Sequence, residues 1–444
     1  MTPAPSQTPD PVLPAPLVIP RQDHPVSRKF IDREALKVMY RLRDAGFLAY
    51  LVGGGVRDIY LGKIPKDFDI STNASPAEIR KIFRNSRIIG RRFRLVQVFF
   101  GGGKIVEVST FRCRTEEDEP GDDASVLPAN NEFGDPAEDA FRRDLTINAL
   151  FYEIENYTVI DYTGGVQDLE DKIVRLVGDP SRRIIRDPVR MMRVIRHAAR
   201  TSFMIEAETW AAIAEHKETL NMCPDSRVRD ELFKDLRGGA CRAWAELALD
   251  SGLFYVLFPF YRPVLTDHAE AKESRSLLLN LFTVIDRLVA EGQTVPEEMT
   301  FALLLIPLFK VELDLMCVQT QQAASTLSGV IRDLLEGYFV RLNIKRATQD
   351  LVARALVTLP LMQAHDQGTG WPKWLTRKSY FGMGLQLFEL YGEACGKKEA
   401  AEVAFPTAPA PSTARSRSSS GGGGSRGPAF APGTEGGVFG LKKK

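Results

Sequence analysis

Asp67 and Asp69 stand one residue apart, shortly after the run Gly53-Gly54-Gly55. On a strand, residues two apart share a face, so both carboxylates point one way while Phe68 and Ile70 turn to a core. Two carboxylates on one face repel unless a cation lies between them. Mg²⁺ held by carboxylates together with substrate phosphates meets that need. The glycines allow a tight turn and a close approach of backbone N–H groups to a ligand. Leu51-Val52 reads as the end of a buried strand, and Val56 to Leu61 as a helix stopped near Gly62. Strand, glycine turn and helix start together form a place for phosphate. Arg57 falls in the first helical turn, where a cation is disfavoured unless an anion is near. The plain structural alternative is a glycine turn before a solvent-facing strand. The joint spacing, with Arg57 and Asp58 between, favours chemistry over that alternative.

Three further groups carry charge in positions that plain packing does not require. Glu107 is a single acid in the apolar-alternating stretch Ile105 to Thr110. It is either edge-exposed or a third carboxylate for metal-dependent phosphoryl transfer. In Arg142-Arg143-Asp144-Leu145-Thr146-Ile147-Asn148, Arg143 can grip phosphate oxygens, and Asp144 can orient it or a ribose hydroxyl. The alternative is a salt-bridged helix face. Asp187-Pro188 opens a basic helix on which Arg190 and Arg193, three apart, share a face.

These groups need elements to hold them. The 444 residues suggest about three domains. Apolar content of 44% and charged content of 26% suit a folded chain with a sizeable core. Net charge is +1, but it is segregated. Residues 80–114 carry ten Lys/Arg against one acid, 116–139 carry ten acids and no base, and 172–200 carry nine Lys/Arg against two acids. Such blocks suit a polyanionic partner on some faces. Five scattered cysteines without metal-ligand spacing speak against a zinc site or a disulfide framework. No segment reads as a leader or a membrane span, so a cytoplasmic protein without membrane attachment is expected.

Residues 1–27 are proline-rich and read as a disordered or extended arm. A helix from Asp32 to Ala45, the strand Phe47 to Val52, a capping box at Ser75 to Glu78, a hairpin of Leu95 to Phe100 with Lys104 to Phe111, an acidic loop 115–137 and a helix Ala137 to Asn148 follow. One basic helix is expected from Ser181 to Arg200, and helices to about Cys395. A Gly/Ser/Pro-rich basic tail, expected to be disordered, occupies 401–444. The fold class is α+β: a head with a mixed or antiparallel sheet over 28–178, a helical neck over 179–258 and a helical body over 259–400.

The glycine turn Gly-Gly-x-Val-Arg-Asp, the Asp-x-Asp strand, the segment Arg142 to Leu150 and the helix from Asp187 resemble, in order, the class II nucleotidyltransferases. That family holds CCA-adding tRNA enzymes and bacterial poly(A) polymerases. The resemblance is dense from Phe30 to Leu257 and looser to about Ala400. It implies template-independent transfer of AMP from ATP to RNA 3′ ends, with two Mg²⁺ ions on Asp67 and Asp69. It implies nucleotide contacts from Gly54, Gly55, Arg57, Arg143, Asp187, Arg190 and Arg193, a catalytic part for Asp144, and RNA contacts from Arg91, Arg92, Arg94 and Arg196. The segment Gly90-Arg91-Arg92-Phe93-Arg94-Leu95 resembles the poly(A) polymerase branch. Arg186 stands where that family's helix usually has Glu, at a position that bears on the choice of ATP over CTP. A CCA- or A-adding tRNA enzyme and a non-catalytic RNA-binding protein are the alternatives. The tail is a candidate docking segment for a protein partner, and oligomeric state is not legible.

Overall fold

The computed structural model describes residues 14–90, 94–113, 133–318, 320–366, 370–397 and 400–405. Its N-terminal part is built on an eight-stranded sheet. The strands are β1 (Leu17–Ile19), β2 (Ala49–Val52), β3 (Asp69–Thr72), β4 (Ser86–Ile89), β5 (Leu95–Phe99), β6 (Ile105–Thr110), β7 (Leu150–Glu153) and β8 (Val159–Asp161). Their order is β1-β8-β7-β2-β3-β6-β5-β4. Every neighbouring pair is antiparallel except β3 with β6, which run parallel.

The two faces of the sheet differ in chemistry. On one, Leu51, Ile70, Val96, Val98, Val106 and Val108 pack under α1 (Arg33–Asp44), whose Ala35, Val38, Met39 and Leu42 recur at helical spacing. Asp32 caps α1 by accepting from the N–H groups of Glu34 and Ala35. On the same side lies α3 (Pro76–Ile82), opened by the Ser75/Glu78 capping box, which the spacing predicts. α2 (Gly54–Tyr60) lies between β2 and β3 in the chain. On the other face Tyr50, Val52, Phe111 and Phe151 form a small aromatic cluster with Ala140 of α4 (Pro136–Arg142). The period-2 alternation of β3 and β6 leaves Asp69, Ser71, Glu107 and Ser109 on that second face.

Four sequence expectations are corrected. The arm is not disordered up to residue 27: Leu17–Ile19, bracketed by Pro16 and Pro20, pairs with the edge strand β8, and Ile19, His24 and Val26 are buried. The helix expected from Ala137 to Asn148 ends at Arg142. Arg143 is extended (φ −63°, ψ 162°), and a 3₁₀ turn follows at Thr146–Asn148. The basic helix is two helices, α6 (Pro180–Arg186) and α7 (Val189–Thr201), because Asp187-Pro188 breaks the first and starts the second. The tail region is ordered to Phe405: Ala401, Val403 and Phe405 are buried, and the Phe405 N–H donates to Gln293 Oε1 at 2.8 Å. Arg91, Arg92 and most of the acidic loop and tail lie outside the described residues.

Behind the head the chain is helical. Asp225–Leu236, Cys241–Ser251, Ala271–Ala290, Glu297–Glu312, Gln321–Tyr338, Arg346–His365 and Phe381–Ala394 are its longer helices. Glu297–Glu312 is buried around its whole circumference from Met299 to Phe309, as an all-apolar helix must be. Among the described residues no helix is long and apolar enough to cross a membrane, and no disulfide is present.

One turn carries stability toward the functional face. The buried Asp161 carboxylate accepts from the N–H groups of Thr163, Gly164 and Val166 at 2.9, 3.0 and 2.9 Å. These bonds fix the start of α5 (Gly165–Glu170). Gly165 touches the Thr146 carbonyl so closely that a Cβ would collide with it, and Thr146 Oγ1 donates to Asp168 Oδ2 at 2.6 Å. Through that turn α5 sets the position of Asn148. Asp161→Ala leaves buried N–H donors without a partner. It should lower unfolding stability by about 2–4 kcal/mol, read as a fall in the urea midpoint; an unchanged midpoint would refute this account of the turn.

Candidate active site

Asp69 is the first residue of β3, and Asp67 lies just before the strand instead of on it. Asp69 sits in register with Glu107 on the parallel neighbour β6, and Glu107 in turn with Gln97 on β5. The Gln97 amide donates to Glu107 Oε1 at 2.9 Å. Three polar side chains thus lie abreast on adjacent strands. Among the described residues no group of three or more His, Cys, Asp or Glu is arranged to hold a metal ion; Glu107 lies beside Asp69 in register and is hydrogen-bonded to Gln97. The Asp69 carboxyl opens to solvent yet is crowded by protein. That enclosure pushes its pKa up to about 6; Glu107 and Asp67 add to the rise and Arg143 opposes it.

The glycine that matters most for conformation is Gly53, at φ +69° and ψ −138°. A Cβ on it would meet Arg143 Nη1 at 3.4 Å and Asp69 Oδ2 at 4.0 Å. The bare backbone of Gly53 therefore separates the arginine from the aspartate. Gly54 faces the Arg57 guanidinium, and Gly55 packs on Leu51 with the Asp67 carbonyl nearby.

Arg143 is held from several sides. Its Nη2 donates to Asp139 Oδ2 at 2.8 Å and Ser71 Oγ at 3.2 Å, its Nη1 to the Asn148 carbonyl at 3.3 Å, and its guanidinium lies 5.2 Å over Phe151. Arg57, expected to face phosphate, is folded inward. It donates to Asp58 Oδ1 at 2.7 and 2.9 Å and to Asn148 Oδ1 at 2.5 Å, and its Nη1 lies 3.2 Å from His197 Nδ1. Because that nitrogen faces a donor, His197 Nδ1 is an acceptor and the ring is neutral. Burial and then Arg57 push its pKa down to about 3, with Asp144 pulling the other way.

α7 joins the site from the neck. Arg193 Nη1 donates to Asp144 Oδ2 at 3.4 Å, and its Nη2 to Glu231 Oε1 at 3.3 Å. Burial opposes the Asp144 charge, but its pKa is held below the usual carboxylate range; the adjoining His197 ring is neutral, which leaves Arg193, the Leu145 N–H and Arg190 to hold it there. Arg190 donates to the Arg183 carbonyl at 2.9 Å, and Arg183 to the Arg142 carbonyl at 2.9 Å. Asp187 ends α6 instead of capping α7, and pairs with Arg227 at 3.0 Å.

Arg196 is not an RNA-facing residue. It is 6% exposed and buried against Glu231 and Asp235, at 2.5 and 2.9 Å, because its side of α7 packs on the helix Asp225–Leu236. Arg94 is exposed just before β5. The sequence reading missed Ser71, Asp139, Asn148, Arg183, His197 and Glu231. Asp139, Asn148, Arg183 and His197 lay inside segments already singled out, and Asp139 meets Arg143 only four residues on; Ser71, Arg183, His197 and Glu231 have partners far along the chain.

The arrangement combines crowded carboxylates, a glycine turn of bare backbone, a pinned arginine and a neck helix tied to the head by Asp144. Known proteins resemble this chain in sequence and in fold. Residues 49–175 match the family described as the poly A polymerase head domain, and residues 202–265 match a probable RNA and SrmB-binding site of polymerase A. Poly(A) polymerase I of Salmonella typhi is 42% identical over 300 residues, 66% of this chain and 64% of that protein. The chain thus spans just under two thirds of that relative's length. A CCA-adding enzyme of Lactobacillus helveticus is 37% identical over 221 residues, half of this chain and 54% of that protein. In fold, the chain is similar to the Bacillus stearothermophilus CCA-adding enzyme solved in complex with CTP, with a TM-score of 0.61, 23% identity and coverage of 84% of this chain and 80% of that one. The chain thus resembles poly(A) polymerases and CCA-adding enzymes through its head, over residues 49–175, and through the segment 202–265 behind it.

Proposed function

We propose that this protein adds AMP from ATP to RNA 3′ ends without a nucleic-acid template, in a Mg²⁺-dependent reaction. The observation that carries this reading is the placement of Asp69 and Arg143 on either side of Gly53, with Asp144 beside them ion-paired to Arg193 of α7. One cluster thus holds groups suited to a cation, to phosphate and to the nucleoside.

Asp67 and Asp69 fit a divalent cation: they are hard oxygen donors, and the crowding that raises the Asp69 pKa is what a cation relieves. When bound there, Mg²⁺ would lower the pKa of an attacking hydroxyl and neutralise charge on departing pyrophosphate. The backbone of Gly53, Gly54 and Gly55 admits phosphate oxygens closely. Arg143, fixed by Asp139, Ser71 and Asn148, presents a guanidinium at a set distance from the carboxylates. Arg57 backs the turn from inside and adds positive charge beneath it. Asp144 orients the nucleoside and, through Arg193, fixes the face of α7 that carries Arg190. Asp187 and Arg190 would then select the base by hydrogen bonding, steadied by Arg227 and the Arg183 carbonyl. Arg94, with Arg91 and Arg92, would meet the RNA backbone.

The likeness to a poly(A) polymerase I at 42% identity, against 37% for a CCA-adding enzyme, supports AMP polymerisation. CCA or A addition to tRNA is the second reading, supported by the fold comparison.

Three outcomes test the reading. With Mg²⁺ and ATP, an unstructured RNA should receive long A-tails, while CTP should not support them. Addition of a few nucleotides confined to tRNA lacking its 3′ end would establish the second reading, and no addition to either RNA would leave a binding protein. Asp67→Ala and Asp69→Ala should abolish tail synthesis while RNA binding persists. Arg143→Ala should raise the KM for ATP about tenfold to a hundredfold, the scale of losing charge-assisted hydrogen bonds.

The pH response of Asp69 gives a test independent of turnover. Its folded pKa of about 6 lies above the ordinary 3.8. Ionising it therefore lowers stability as pH rises from about 4 to about 6, since the folded state holds the proton more tightly. Asp69→Asn should raise the urea midpoint over wild type at pH 7.5 without divalent cations. At pH 4 the two should coincide, and Mg²⁺ at pH 7.5 should raise wild type alone. A wild-type midpoint indifferent to Mg²⁺ would remove the case for a cation at this carboxylate.

A further inference from the structure

A second aromatic and basic surface lies on the other side of the sheet. An open cavity of about 490 Å³ separates the N-terminal arm from α1 and is lined by Arg21, Arg28, Lys29, Tyr40, Tyr152 and Tyr157. Its place follows from the pleat. Tyr152 is in register with Leu51 and packs in the core under α1, whereas its neighbour Phe151 belongs to the aromatic cluster on the Asp69 face. The cavity and the carboxylates therefore occupy opposite faces.

The charges here lack the partners found elsewhere. In the neck, Arg193 and Arg196 are ion-paired with Asp144, Glu231 and Asp235. Among the described residues, none of Arg21, Arg28 and Lys29 is ion-paired with a carboxylate, and all three are exposed. Arg21 Nη1 donates to the His24 carbonyl at 3.0 Å. Arg28 donates to the Tyr40 hydroxyl at 2.6 Å, and its guanidinium carbon lies over the Tyr157 ring, 4.2 Å from its centre. Along the chain Asp23 is the acid nearest Arg21, and Asp32, the one nearest Arg28 and Lys29, is ion-paired with Lys104.

The backbone adds an independent sign. Tyr157 is a bulky residue at φ +59°, a conformation that costs about 1 kcal/mol or more and persists only where the surroundings enforce it. Here the enforcement is local: Tyr157's carbonyl lies 2.9 Å from His24 Nε2 and its ring lies under Arg28. The strain holds an aromatic face at the cavity rim. Phe30, 57% exposed, follows Arg28 and Lys29 on the same short turn. Unpaired cations interleaved with aromatic faces are what single-stranded nucleic acid uses: phosphates on Arg and Lys, bases stacked on rings or on guanidinium planes. An acidic peptide would use the cations and leave the rings without a role.

We infer that the N-terminal arm and α1 build a second subsite for single-stranded RNA, on the sheet face opposite the carboxylates, with Arg21, Arg28 and Lys29 on its phosphates and a base stacked against the Arg28–Tyr157 pair. The inference rests on the proposed RNA substrate and adds an anchor for RNA away from the reacting 3′ end. Such an anchor lowers the KM for RNA and leaves the transfer step unchanged.

The experiment compares full-length wild type with the Arg21→Gln/Arg28→Gln/Lys29→Gln variant, using fluorescent oligo(A) of about 20 nucleotides in an anisotropy titration over a salt series. Loss of three phosphate contacts should weaken binding at least tenfold and reduce the slope of log K against log salt by about 2, at roughly 0.7 per contact on a single strand. KM for the RNA should rise with kcat unchanged. Binding within twofold of wild type with the same slope overturns the subsite, and so does lost affinity with an unchanged slope. Competition by poly-glutamate as strong as by unlabelled oligo(A) overturns RNA in favour of an acidic partner. Should the triple variant fail to fold, Arg21→Gln/Lys29→Gln, at two exposed positions, is expected to lose about 1.4 of slope, and no loss overturns the inference. Arm-dependent RNA binding by a wild type that adds no nucleotide would overturn the proposed transfer reaction and support the subsite.

Discussion

Asp144 keeps its charge in a half-buried place, and the relation between head and neck depends on it. A carboxylate taken out of water is stable only when opposite charge and donors surround it. Here Arg193 and Arg190 come from α7 and the Leu145 N–H from the head itself. The same helix turns His197 toward Arg57, whose guanidinium is shared with Asp58 and Asn148. Neutrality of His197 is part of the design: a cationic ring would face an arginine at hydrogen-bonding distance. Head and neck thus meet through a graded set of charges in which each cation has an acceptor, and the helix that carries Arg190 is fixed relative to the carboxylates of β3.

That arrangement explains what local sequence could and could not reveal. The place of Asp69 on its strand, the glycine turn, the Ser75 capping box and the hairpin were legible because each is a short-range pattern with its own physical rule, whereas Asp67 falls before the strand and takes no face from its pleat. The chemistry of the β3 and β6 face was legible from alternation alone. The partnerships were not. Asp144 and Arg193 are 49 residues apart, Arg57 and His197 are 140 apart, and nothing near any of them announces the other. Arg196 looked like a continuation of a basic face because its acids lie on another helix. The helix break at Arg143 carries no proline or glycine signal; it follows from the tertiary demand that Arg143 reach back to Ser71. In the arm, prolines dominate the composition and hide a three-residue strand that needs β8 to exist.

The two faces of the sheet divide the labour of the head. The α1 face is a largely apolar core, and at the arm tyrosines replace aliphatics. The opposite face carries a compact aromatic cluster, and the polar strip of Asp69, Ser71, Glu107 and Ser109 runs beside it. Phe151 links the two regions of that face, since Arg143 lies over its ring while Val52, in register with both Phe151 and Asp69, packs in the cluster. Packing and charge placement are therefore set by the same residues.

The strand order also dictates when the site can exist as the chain emerges. β2 stands between β3 and β7, and β7 is the segment that follows Arg143, Asp144 and Asn148. Until residue 153 has been made, β2 presents an unpaired edge on that side, and an open edge invites wrong pairing. When β7 docks, it closes the edge and brings Arg143 and Asn148 to the glycine turn in the same event. β1, the first strand synthesised, finds β8 only later still. A nascent head therefore has its carboxylates early and its arginine late, so an incompletely folded head holds Asp69 without the cation that faces it. Formation of the centre coincides with the long-range, slow pairing that completes the sheet.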